Sequence, residues 1–330
     1  MIKSFVICVL ICLIIIIYFT AIYVTKTTHL LLAPLRRSRC SYVGFEIPKT
    51  GNRLGNHLFY YSGVMYVASL TGRRPCIWTK STNTLLNSVF DVDIERVDIK
   101  TLACPLYKFT QRKVGVYDRR VEALVNRSHN ESLSLKGAFQ SWKYIEPIAE
   151  RLRQQLTFRR KLMEFVAKFW NNSVPPGWNG LQFVRVGVHV RRGDFLGGWA
   201  RSRGFTVANE RYLQRAIGYF VRRFRRVQFV VTSDDIRWCQ KHMEFNSSSV
   251  NVTFSVGHNT GQDLALLASC DHIVMTTGTY SWWAAWLANG ITVYYANYPK
   301  RGSWLRIQMD DDDYYHPNWI GLDDNDSRHL

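Results

Sequence analysis

No two of the seven cysteines stand in a C-x-x-C pair, which removes zinc fingers and zinc ribbons from consideration. Cys8 and Cys12 lie in an apolar amino-terminal stretch. That leaves Cys40, Cys76, Cys104, Cys239 and Cys270, an odd number, so at least one is a free thiol or pairs between chains. No internal repeat is visible. Acidic residues are scarce, 25 Asp and Glu against 43 Lys and Arg, a formal net charge of +18. Such a charge suits a nucleic acid, an anionic membrane surface or a phosphorylated small substrate. Basic residues are spread along the body, from Arg36 to Arg306 and beyond, and do not gather on one element, which argues against a nucleic-acid or phospholipid binder. With 47% hydrophobic and 14% aromatic residues over 330 positions, the chain can bury a core of one or two domains.

Residues 4–24 (through FVICVLICLIIIIYFTAIYV) are nearly all apolar and match the ~20 residues that span a bilayer. A cleaved signal peptide has a shorter apolar region ending at small residues, so an uncleaved signal anchor is the better reading. Lys3 precedes this segment and Lys26, Arg36, Arg37 and Arg39 follow it, which by the positive-inside rule puts the body in the cytoplasm. Six N-x-S/T sequons, at Asn126, Asn130, Asn171, Asn246, Asn251 and Asn325, all follow the segment and exceed chance. They favour a lumenal, glycosylated body. The expected organisation is a cytoplasmic tail 1–3, an anchor 4–24 and a stem 25–40. Beyond these come an amino-terminal domain 41–173, a linker 174–180 (through VPPGWNG) and a carboxy-terminal domain 181–330.

Along the body, a strand over Tyr42–Ile47, the turn GNRLGN and a helix of about 16 residues stopped by Gly72 make a β-loop-α start. Residues Arg151–Trp170 read as one basic helical segment. The β-branched run Phe183–Val190 reads as a strand buried on both faces. Then follow a helix Tyr212–Arg225, a strand Val227–Thr232, a helix Asp263–Cys270, a strand His272–Thr276, a helix Ser281–Asn289 and a strand Ile291–Tyr295. Strands alternating with helices imply a doubly wound, Rossmann-like sheet.

Ligands of such sheets sit beyond the carboxyl ends of the strands, which brings together HVRRGD (His189–Asp194), TSDD (Thr232–Asp235) and TTGTYS (Thr276–Ser281). Arg191 and Arg192 offer forks suited to a diphosphate. Thr279 or Ser281 is placed to cap the following helix, whose N–H groups can meet a phosphate. Asp263, at a helix start, is by itself no more than a helix-dipole partner. The run Asp310–Asp313 reads as a solvated acidic turn in preference to a metal site.

The blocks GNRLGNHLFYYSGVMYVASLTGRRP, GAFQSWKYIEP, GVHVRRGDF, ERYLQRAIGYF, FVVTSDDIRWCQ and DLALLASCDHIVMTTGTYSWWAAWLANGITVYYANYP resemble, in order, those of the galactoside α-1,2-fucosyltransferases. The H-x-R-R-x-D signature is also similar to that of α-1,6- and protein O-fucosyltransferases. The resemblance implies an α/β, GT-B-like architecture, two Rossmann-like domains facing a cleft, on a Golgi type II membrane anchor. It implies GDP-fucose as donor and a galactose-terminated glycan as acceptor; with Arg191 and Arg192 offsetting the diphosphate charge, no metal and no cofactor is expected. It places His189 on the nucleotide, Arg191 on the diphosphate, Asp263 on the guanine N1 and N2 donors, and Thr279 and Ser281 on the β-phosphate, with Arg192 also in the donor site through its fork. Such enzymes invert the anomeric centre and need a general base. Asp194 is the first choice, though it can equally hold Arg191 or Arg192 in place. The proposed Glu base of the α-1,6 relatives lies five residues past the signature Asp, where this chain has Trp199. A catalytically silent glycan-binding relative and a fucosyltransferase of another linkage stay open, as does the oligomeric state.

Overall fold

The computed structural model describes residues 41–45, 53–78, 84–243 and 247–324. The anchor 4–24, the stem, Asn246 and Asn325 lie outside the described residues. Among the described residues no helix is long and apolar enough to cross a membrane.

Two wholly parallel sheets form the frame. The first contains β1 (Tyr42–Phe45), β2 (Arg74–Trp78), β3 (Glu95–Val97), β4 (Leu106–Thr110) and β5 (Ser132–Lys136), in the order β3-β2-β1-β5-β4. The second contains β6 (Val184–Val190), β7 (Val227–Ser233), β8 (Val250–Phe254), β9 (His272–Met275), β10 (Thr292–Tyr295) and β11 (Ile320–Leu322), in the order β11-β10-β9-β6-β7-β8. Renumbered from β6, that is the doubly wound order 3-2-1-4-5-6, whose direction reverses between β6 and β9. Val186, Val188, Val190 and Val230 are wholly buried, as a central parallel strand with helices on both faces requires. The strands β2 to β5, β8 and β11 were not expected from sequence. Several are short and half-exposed, and β8 (VNVTF) lies at a sheet edge.

Helix α1 (Leu54–Thr71) is buried nearly all round, the mark of a core helix, and ends at Gly72 with φ 67°. The basic segment expected over Arg151–Trp170 is instead two helices, Ala149–Gln155 and α2 (Arg160–Asn172). The break has a non-local cause. Arg159 donates its N–H to the Val89 carbonyl and Asp91 donates to Thr157, both at 2.9 Å, so this backbone pairs with a distant strand-like segment and not with its own helix. Helix α2 packs toward the second sheet, where Trp170 Nε1 donates to Ser269 Oγ at 2.9 Å. The remaining major helices are α3 (Glu210–Arg223), α4 (Ile236–His242), α5 (Thr260–Ala268) and α6 (Thr279–Ala288).

The two sheets are joined through α1 and α6. Phe59 lies 4.9 Å from Trp282 and 5.2 Å from Trp283, ring centre to ring centre, and all three are wholly buried. A Cβ on Gly55 would fall 2.6 Å from the Tyr280 backbone nitrogen, so only glycine lets the first turns of these helices touch. The chain's end crosses back as well. Asp313, expected to be solvated, is 8% exposed, accepts the Tyr117 N–H at 2.7 Å and pairs with Lys143. Asp310 caps the short helix Asp311–Tyr314, and Asp311 pairs with Arg306 at 2.8 Å. Asp310 and Asp311 are absorbed by local structure and Asp313 by partners from the first half.

Of the sequons, Asn126, Asn130 and Asn171 are exposed and Asn251 is half-buried on β8. Cys76, Cys239 and Cys270 are buried free thiols and Cys104 is half-buried and free.

Gly55→Ala puts a methyl group against backbone that no side-chain rotation can move. Overpacking of this kind costs about 1–3 kcal/mol. The thermal midpoint of the purified variant is expected to fall by several degrees; a melt that superposes on that of the unaltered protein would show that the helices separate freely.

Candidate functional site

At the carboxyl ends of β6 and β9 the chain turns sharply on both sides of the reversal point. Thr276 ties the two strands together, its Oγ1 donating to the His189 carbonyl at 3.2 Å and accepting the Arg191 N–H at 2.9 Å. Arg191 and Arg192 therefore leave the strand end in fixed directions. Their guanidiniums pack on rings, Arg192 at 3.8 Å over Trp238 and Arg191 at 5.2 Å over Phe195.

Carboxylates occupy both forks. Arg191 pairs with Asp194 and, at 2.6 Å, with Asp234. Arg192 pairs with Asp235 at 3.1 Å, and its backbone N–H donates to Asp234 at 2.8 Å. Arg53, at the start of α1, reaches across from the first half to Asp194 at 3.1 Å. Three arginines thus face three aspartates, and an arriving anion must exchange with carboxylates that already hold the right distance from the guanidiniums. TSDD supplies two of those carboxylates. Asp194 bridges Arg53 and Arg191, so in this structure it does what one of its two expected roles requires, holding an arginine.

Helix α6 begins at Thr279 with Gly278 as N-cap and no side-chain cap, so neither Thr279 nor Ser281 caps it as expected. Gly278 has φ 89°, open to glycine and strained for other residues, and a hydroxyl cap is not available from such a residue. Thr279 Oγ1 instead donates to Asn56 Oδ1 of α1 at 3.0 Å, and Gln140 Nε2 donates to the same oxygen at 3.3 Å. The first-turn N–H groups of α6, which have no intrahelical partners, lie beside the first turn of α1. Two positive helix ends and three guanidiniums converge on one mouth. The buried hydroxyls of Thr232 and Thr277, at the ends of β7 and β9, have no partner among the described residues.

His189 is 7% exposed and Ser281 wholly buried, and they face each other through Nδ1 and Oγ. Ser281 Oγ donates to the Thr277 carbonyl at 3.0 Å, so it accepts from His189 Nδ1–H, which leaves His189 Nε2 an acceptor. Burial pushes the His189 pKa down to about 4, against the opposing pull of Asp234. The ring is therefore neutral near pH 7.

Asp263 lies in the first turn of α5, which begins three residues earlier, at Thr260. Asn259 and Gln262 form a capping box, an N-x-x-Q signal legible in the sequence that moves the helix start to Thr260. Asp263 Oδ1 accepts from Ser255 Oγ at 2.6 Å, and Ser255 in turn accepts from His258 Nδ1 at 2.6 Å. Burial raises the Asp263 pKa, opposed by the Ser255 hydrogen bond and the His258 charge. Trp199 is 70% exposed beyond the arginine loop. Arg53, Asn56 and Gln140 are site residues that the sequence left unassigned; GNRLGN, between the first strand of the other sheet and α1, was the available signal for the first two.

A doubly wound sheet with an anion-seeking mouth at its reversal point is the build of nucleotide-dependent α/β proteins. The chain belongs to glycosyl transferase family 11, whose family pattern matches residues 44–323. It is 30% identical over 274 residues to galactoside alpha-(1,2)-fucosyltransferase 1 of Rattus norvegicus, covering 82% of this chain and 71% of that protein. It is 30% identical over 301 residues to galactoside 2-alpha-L-fucosyltransferase SEC1 of Bos taurus, covering 89% and 77%. Among solved structures, POFUT1 in complex with GDP-fucose superposes with a TM-score of 0.48 at 11% identity, over 78% of this chain and 98% of that one.

The buried neutral His189 gives a pH test. The unfolded chain takes up a proton below its ordinary pKa near 6.5, while the folded chain does not until about pH 4. The unfolded state then holds more protons, so stability from this group is complete above pH 6.5 and is lost as pH falls toward 4. His189→Asn keeps a donor toward Ser281 and removes the titration. Its thermal midpoint is expected to fall less than that of the unaltered protein between pH 6.5 and 4. Parallel curves would place the His189 proton elsewhere.

Proposed function

We propose that the chain moves L-fucose from GDP-β-L-fucose to the 2-hydroxyl of a galactoside, inverting the anomeric centre. The observation that carries this is the paired Arg191 and Arg192, screened by exchangeable carboxylates at converging helix ends, in a chain of glycosyl transferase family 11. The names of its relatives, galactoside α-1,2-fucosyltransferases, supply the sugar, the acceptor and the linkage.

In this reading the diphosphate displaces Asp194 and Asp234 from Arg191 and takes further donors from Arg192, Thr279 and the first-turn N–H groups of α6. Ser281 serves chiefly by fixing the His189 tautomer, and His189 Nε2 then accepts a donor from the nucleotide. Asp263 keeps Oδ2 for the guanine N1 and N2 donors. As the C1–O bond to the diphosphate breaks, the acceptor oxygen bonds C1 from the opposite face and its proton goes to a base. Asp194, released from Arg191 by the donor, is that base. The guanidiniums and helix ends offset the leaving-group charge, so the proposal needs no metal. The architecture is GT-B-like: one domain on each sheet, joined through 174–180, with the acceptor entering from the first. The body is held lumenally on a Golgi membrane by the anchor 4–24 and is glycosylated at its sequons.

The test is transfer from GDP-fucose to a panel of β-galactosides with excess EDTA present, followed by linkage analysis. An α-1,2 product is expected; no turnover, or another linkage, contradicts the proposal. Arg191→Ala should lower kcat by about 10²–10³, while the fold persists because Asp194 keeps Arg53 and Asp234 keeps the Arg192 N–H. Arg191→Lys should restore little, since an ammonium lacks the fork. Asp263→Ala should raise KM for GDP-fucose with kcat nearly kept. An Arg191→Ala protein that turns over normally at saturating donor removes the diphosphate role.

A further inference from the structure

The first sheet also has a ligand-sized cleft at its strand ends. It has a volume of about 360 Å³ and is lined by Tyr117, Arg119, Glu122, Lys143 and Asp313. That is within the ~300–1,000 Å³ range of small-ligand sites. Tyr117 follows β4, Lys143 follows β5, and Asp313 comes from the returning carboxy-terminal segment, so the cleft lies beyond carboxyl strand ends, as the arginine mouth does on the second sheet. Lys143 follows Gln140 by three residues, at most about 10 Å of chain, and Gln140 hydrogen-bonds Asn56 beside Thr279. The cleft is a near neighbour of the mouth.

Its chemistry selects one kind of occupant. Two cations and two carboxylates give the lining no net charge, which disfavours a second anion. Lys143 pairs with Asp313, and Tyr117 donates to Glu122 at 2.9 Å, so these groups are held in place. Arg119 is exposed and makes no ion pair among the described residues, which leaves a guanidinium fork open to a ligand. Carboxylates beside cationic donors suit vicinal hydroxyls, which donate to the one and accept from the other. We propose that this cleft is an acceptor subsite that holds the neutral sugar next to the galactose, with Arg119 as a specificity-determining residue. This deepens the proposed transfer and rests on it.

The experiment compares KM for methyl β-galactoside, too short to reach the cleft, with KM for a neutral trisaccharide ending in β-galactose, in the unaltered protein and in Arg119→Ala and Arg119→Glu. The preference for the trisaccharide is expected to fall about tenfold in both variants, the order of one charge-assisted hydrogen bond. Arg119 is on the surface, and a thermal melt of each variant verifies that it is folded. Fucose transfer to both acceptors with an unchanged preference would overturn the subsite and leave the proposed function standing. Transfer to neither acceptor by the unaltered protein would overturn the function, and the subsite with it.

Discussion

The structure depends on one constraint: the first turns of two helices, α1 and α6, pack against each other between two parallel sheets. Each carries the equivalent of about half a positive charge and a turn of unpaired N–H groups. Such ends repel unless something negative stands between or beside them. Gly55 makes the approach sterically possible, and Asn56 accepts from Thr279 where the helices touch. Three aspartates on the neighbouring loops supply the negative charge. The same arrangement that joins the halves therefore keeps the mouth prepared for an anion.

Apolar packing holds the constraint in place. Phe59, Trp282 and Trp283 interlock directly behind the two first turns, and Trp282 Nε1 donates to the Tyr314 carbonyl at 2.7 Å, drawing the carboxy-terminal segment over the joint. That segment delivers Asp313 to Tyr117 and Lys143, so the wall of the first sheet's cleft and the floor of the arginine mouth share one support. Asp194 is the connecting residue. It is 51% exposed at its side chain and bonded to one arginine from each half, where a ligand can reach it.

Much of the second sheet was legible because β6, β7, β9 and β10 are strongly β-branched or apolar and α3, between the first two, carries a clear apolar stripe. HVRRGD, TSDD and TTGTYS were correctly gathered at strand ends by topology alone. What escaped was set by partners distant in sequence. Phe158 bridges to Phe90 and splits an otherwise helical run. Asp313 looks solvated among four aspartates until Lys143 and the Tyr117 N–H are brought to it. Arg53 and Asn56 read as turn residues, and only the folding of one half onto the other turns them toward Asp194 and Thr279. The mistaken cap of α6 was local: Gly278 has the conformation for the role, and the hydroxyls of Thr279 and Ser281 beside it suggest a side-chain cap.

The central claim is that this mouth is built for the second phosphate of a nucleoside diphosphate. Calorimetric titration of the protein with GDP and with GMP tests it most directly, because the two ligands share the base and sugar. Loss of the β-phosphate removes charge-assisted contacts worth about 1.5–3 kcal/mol each. The account predicts that GDP binds at least about tenfold more tightly than GMP, and equal affinity for the two would contradict it.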